Sequence, residues 1–185
     1  MSALTVFKSA KHGGNPILRA IGFLSQICGF LSAGMIFTAV VITCQMIFVR
    51  FVLNQSTIWQ TEAVVYLMVG ATLIGLPYVQ KLRGHVNVDL LPLMLPKPLR
   101  KALAIFTLGV AIFIIGLMLF YGFDMWYTAW VRGWRSDTIW GVRLWIPYLA
   151  VPVGFFLYML QLAADLLATV LNIEAPFSID EGEAL

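Results

Sequence analysis

Apolar residues in this chain fall into four long blocks rather than a short alternating pattern. Asp, Glu, Lys and Arg are absent from 21–49, 63–80, 102–123 and 144–164. A membrane-spanning helix needs roughly 20 mainly apolar residues, within a range of about 17–25. The second block sits at the short end of that range. The first is long enough to make a helix of about 43 Å against a hydrocarbon core of about 30 Å, so it must tilt or emerge into water. It also exceeds the roughly 7–15-residue apolar core of a signal peptide and reads as a retained helix. The pattern predicts an all-α membrane protein with four transmembrane helices, forming a single membrane domain over 1–185. The stretch 172–185 is acidic and reads as a frayed cytoplasmic tail.

Composition supports this reading. Of 185 residues, 61% are hydrophobic and 11% charged, and mean hydropathy is +0.89. A soluble domain carries roughly 25% charge, so an ordinary soluble enzyme, a nucleic-acid-binding domain and a disordered chain are excluded. The net charge of +3 reflects topology rather than an affinity for nucleic acid. Lys8, Lys11, Arg19, Lys81, Arg83, Lys97, Arg100 and Lys101 flank one set of span ends, whereas Arg50, Arg132, Arg135 and Arg143 flank the other. Lys and Arg favour the cytoplasmic side, which puts both termini and the middle loop inside. All six tryptophans lie in or beside the two outer loops. Trp126, Trp130 and Trp134, with Arg132 and Arg135, therefore form a candidate outer docking face; a belt at the lipid headgroups accounts for the same pattern.

The connecting segments hold the remaining candidates. QKLRGHVNVDLLPLMLPKPLRK, between the second and third spans, mixes apolar and charged residues, and its three prolines forbid one continuous helix. A short interfacial helix over about 86–91 is expected. His85 and Asp89 are four residues apart and would share a helical face; they form either a proton site or, on the simpler reading, a structural anchor for this segment. Arg50 ends the first span and Glu62 begins the second, so a salt bridge clasping the two helix ends is expected, with Trp59 beside it. Ser25, Gly29 and Ala33 recur every four residues in the first span, as do Ala71 and Gly75 in the second, a spacing that lets helices approach closely. Cys28 and Cys44, about 24 Å apart on one helix, cannot form a disulfide. No midplane position is charged, and a chain without such a group is a poor candidate to conduct a charged solute alone.

These residues also carry a resemblance. RFVLNQSTIWQTEAVVYLMVGATLIGLPYVQKLRGHVNVDLL resembles the small membrane subunit of TRAP (tripartite ATP-independent periplasmic) transporters, the DctQ-like family. Its pattern of Arg and aromatic, then Trp and Glu, then Gly, then His-hydrophobic-x-hydrophobic-Asp falls on Arg50, Phe51, Trp59, Glu62, Gly75, His85, Val86, Val88 and Asp89. LWIPYLAVPVGF resembles the family's last helix, with Pro152 and Gly154 in place. Gly70 departs from the pattern, since the family often carries a Trp there. The resemblance implies no enzymatic activity and no cofactor on this chain. It implies a scaffold role in the bacterial inner membrane beside a large TRAP membrane subunit, which would hold the sodium sites. A periplasmic substrate-binding protein would deliver an organic acid, a carboxylate or sulfonate. The alternative from the residues alone is a self-contained small four-helix proton-coupled exporter, for which only Glu62 could serve. A quinone-linked thiol enzyme would need the cysteine pair that the geometry forbids.

Overall fold

The computed structural model describes residues 16–82 and 97–171. Among these residues five helices follow in order: α1 (Pro16–Phe51), α2 (Ile58–Lys81), α3 (Lys97–Val131), a four-residue α4 (Trp145–Tyr148) and α5 (Ala150–Val170). Among the described residues four spans are long and apolar enough to cross a membrane, α4 and α5 together making the fourth. The expected interfacial helix over about 86–91, with His85 and Asp89, and the tail 172–185 lie outside the described residues.

The helices outrun the charge-free blocks. α1 has 36 residues and α3 has 35, about 54 and 52 Å at 1.5 Å per residue. Pro16 opens α1 at its first position, where its missing N–H costs nothing. α3 passes through Asp124 because a charge at the membrane boundary does not oblige a helix to end. It stops instead at Gly133, whose φ of 61° suits a residue without a Cβ. Trp134 N–H bonds Ala129 O at 3.1 Å and Gly133 N–H bonds Trp130 O at 3.3 Å, a Schellman closure.

The fourth span is interrupted at Leu149. Pro152 has no N–H to offer the Tyr148 carbonyl, so the ladder lacks a rung there. The flanking bonds Leu149 N–H to Trp145 O, 3.1 Å, and Val153 N–H to Leu149 O, 3.3 Å, carry the chain across.

α2 and α5 are central. α1 packs along α2, α2 runs beside α5, and α3 packs on the other side of α5. The contacts are made by small residues: Ala39, Ala71, Ala129, Ala164 and Ala168 are all buried. With lipid outside, such close backbone approach, rather than exclusion of water, drives helix association. Both flanking spans leave most of their apolar surface unburied, α3 above all.

Candidate functional site

Two polar clusters tie the bundle together, one at each membrane boundary. The cluster at the α2 C-terminal end joins three helices. The Ser25 hydroxyl on α1 donates to Gln161 Oε1 at 2.6 Å. Gln161 Nε2 donates to Asp165 Oδ1 at 2.9 Å, one turn along α5. Gln80 Nε2 on α2 reaches Asp165 Oδ2 at 2.9 Å, and the Tyr158 hydroxyl donates to Gln80 Oε1 at 3.4 Å. Beside them Lys81 Nζ donates to Gly22 O at 2.7 Å. Ser25 and Gln161 are buried, so each bond replaces a costly unsatisfied group. The cluster ties α1 and α2 to one face of α5. Of its members only Ser25 stood out in the sequence. Gln80, Tyr158 and Gln161 carry no charge and do not interrupt a hydropathy run, although a Gln inside such a run is itself a signal that a partner is needed.

The opposite end is held by the loop before the fourth span. Residues 134–144 fold back as a small hairpin, with Arg135 and Arg143 bridged antiparallel. Leu144 N–H bonds Trp134 O and Ser136 N–H bonds Val142 O, both at 2.9 Å. The hairpin reaches α2 at Glu62, where Ser136 also approaches, and at Trp59. The Thr138 hydroxyl donates to Glu62 Oε2 at 2.5 Å, and Trp140 meets Trp59 edge to face with ring centroids 6.2 Å apart. The Tyr66 hydroxyl donates to the other Glu62 oxygen. Glu62 therefore clasps α2 to the hairpin. No Arg50–Glu62 ion pair forms: Arg50 is exposed, and hydroxyl donors occupy both carboxylate oxygens. The expected clasp residue is thus Glu62 with a different partner, one 76 positions away.

The tryptophans divide. Trp126 and Trp130, a turn apart on α3, have ring centroids 5.8 Å apart. Trp130 packs on Trp145 at 4.6 Å, and Trp126 Nε1 donates to Trp145 O at 3.1 Å. This stack fastens the end of α3 to the start of the fourth span. Trp134 does not continue the α3 row, because the helix has ended before it. Trp134, Arg132 and Arg135 are exposed on the hairpin side, and Ile139 is 90% exposed at the tip.

Small residues set the helix spacing. A Cβ at Gly29 would meet the Tyr78 ring at 2.5 Å, one at Gly75 would meet Ser32 Oγ at 2.8 Å, and one at Gly154 would meet the Leu73 carbonyl oxygen at 2.8 Å. Ala71 is fully buried, and its carbonyl accepts from Ser32 at 2.7 Å. Ala33 departs from this face and is exposed. Steps of four residues drift about 40° each against a 3.6-residue turn, so the contact line on α1 passes to Ser32 instead. Cys28 is buried and Cys44 exposed, both free.

The family described as "Tripartite ATP-independent periplasmic transporters, DctQ component" matches residues 39–172. Two relatives share the name "C4-dicarboxylate TRAP transporter small permease protein DctQ". The one from Pseudomonas aeruginosa is 25% identical over 122 residues, covering 65% of this chain and 58% of the relative. The one from Vibrio cholerae is 24% identical over 156 residues, 73% of this chain and 67% of the relative. This chain thus spans about three fifths to two thirds of their length. No solved structure matches. The matched region runs from within α1 through the other three spans and takes in the Glu62 clasp and the α2 and α5 members of the inner cluster, though not Ser25, and the chain belongs to the DctQ family of TRAP transporter small permease subunits, a transport-subunit family and not an enzyme family.

Proposed function

We propose that this chain scaffolds a larger membrane subunit in sodium-driven, binding-protein-dependent uptake of an organic acid, a carboxylate or sulfonate. One observation carries the reading. The residues that could handle a charged solute lie at the span ends and are engaged in holding helices together. Glu62 is taken by Tyr66 and Thr138; Asp165 is taken by Gln80 and Gln161. The span interiors carry no Asp, Glu, Lys or Arg, whereas intramembrane ionisable groups mark ion and substrate pathways. Sodium sites and substrate selection then belong to the large subunit and to a periplasmic substrate-binding protein. The chain lies in the bacterial inner membrane with both termini in the cytoplasm. The hairpin with Arg132, Trp134 and Arg135 faces the periplasm, where it is available to the binding protein. His85 and Asp89 anchor the cytoplasmic connection between α2 and α3.

Reconstitution tests this. Liposomes holding this chain alone show no sodium-dependent uptake; adding the co-encoded large subunit and binding protein restores it. The Glu62→Gln variant still supports transport, because its role is structural. Proton-coupled export by this chain alone, abolished in Glu62→Gln, would establish the small-exporter reading instead.

A further inference from the structure

Beneath the hairpin, between α1, α2 and the fourth span, lies an open groove of 580 Å³. Met35, Tyr66, Ile74, Trp140, Ala150 and Val153 are among the side chains that form it, and its surface is almost entirely apolar. Along α2 it runs from Ala63 to Ile74, about 16 Å of helix. That is one leaflet of a hydrocarbon core about 30 Å thick. The groove therefore starts at the water–lipid boundary and ends near the midplane.

Glu62 stands at its outer end, next to Ala63 of the lining. The Tyr66 ring lines the groove, and its hydroxyl donates to Glu62. Thr138, from the hairpin, donates to the second carboxylate oxygen. Glu62 makes no ion pair among the described residues. A carboxylate held by neutral donors at a membrane boundary retains its negative charge and further acceptor capacity. It favours a cation with N–H groups to donate.

We propose that this groove binds a membrane lipid with a primary-amine headgroup, its acyl chain in the groove and its ammonium on Glu62. A groove one leaflet long with an almost wholly apolar lining matches an acyl chain. The headgroup preference follows from Glu62: an ammonium is attracted, and an anionic glycerol headgroup is repelled. The bound lipid fills the space between α1, α2 and the fourth span in that leaflet and stiffens the contact of the hairpin with α2. This proposal concerns the chain's own bundle and does not depend on the scaffold reading.

The test is native mass spectrometry of the full chain, released from micelles supplied with phosphatidylethanolamine or phosphatidylglycerol of matched acyl chains. The expected result is one retained phosphatidylethanolamine, bound about tenfold more tightly than phosphatidylglycerol. In Glu62→Gln that preference collapses. In Ala63→Phe and Val153→Phe the groove is filled and the retained lipid is lost, with helix content unchanged by circular dichroism. Val153 is 39% exposed, so its variant decides the matter even where Ala63→Phe fails to fold. Equal retention of both lipids by the parent chain, or undiminished retention in Val153→Phe, would overturn the proposal. So would a photoreactive benzoylphenylalanine at position 153 that labels a protein rather than a lipid in native membranes.

Discussion

A single methyl group at position 154 is more than the contact between α2 and α5 can hold. The Gly154 Cα lies against the Leu73 backbone, and backbone cannot rotate aside as a side chain can. Gly154→Ala is expected to lower stability by about 1–3 kcal/mol, read as a drop in melting temperature in detergent. Gly109→Ala is the control, because its Cβ would meet nothing within 4 Å, and it should leave the melt unchanged. Gln161→Ala removes two hydrogen bonds, unties α1 from α5 at this point and leaves Ser25 with only the Ile21 carbonyl on its own helix. A loss of about 1–3 kcal/mol follows, and Gln161→Glu should not restore it, since it replaces the donor facing Asp165 with a second carboxylate. Much of this scale was illegible in the sequence. Small residues at helical spacing marked Ser25, Gly29, Ala71 and Gly75, but the partner of Gln161 is 136 positions away and no local pattern encodes it. The Arg50–Glu62 pairing failed for a related reason. Equal membrane depth brings two residues to one plane, yet it does not say which donors in that plane lie nearest, and here they are the hydroxyls of Tyr66 and Thr138.

Among the elements, the spans were legible because burial in lipid demands a long run of apolar residues and little else imitates it. Their ends were less so. Asp124 in the sequence marks the edge of the hydrocarbon, whereas Gly133 marks the end of the helix, and α3 crosses the first to stop at the second. The break at Leu149 follows from Pro152, which the sequence displays. The hairpin that follows α3 is not legible in the sequence, since it forms by one bridge between two arginines, with Thr138 and Trp140 set on α2. Its attachment is testable. Thr138→Val with Trp140→Ala removes two of its contacts to α2 and should make the hairpin at least about tenfold more susceptible to protease at Arg135 and Arg143, because opening then no longer breaks them. The stack of Trp126, Trp130 and Trp145 at its base should hold the flanking helices intact, visible as unchanged helix content.

At the scale of the whole molecule, α2 and α5 form a centre held at both ends by hydrogen bonds, while α1 and α3 present long apolar flanks. The distribution of charge made the membrane class and the four spans readable from the sequence, and the ordered motif from Arg50 to Asp89 pointed to the family. The arrangement of the helices was not readable, because in lipid every apolar face is equally content to be outside and only small residues and polar side chains choose neighbours. Under the scaffold reading, the flank of α3 around Gly109 and Gly116, where an added Cβ would meet nothing within 4 Å among the described residues, is open for a neighbour. The most direct test of dependence on a partner is affinity purification of the tagged full chain from its native membranes in a mild detergent, with the mass of the intact assembly measured. The account predicts a stable complex with a larger multi-span membrane protein. Recovery of this chain alone, as a monomer or homodimer that itself carries out transport, would contradict it.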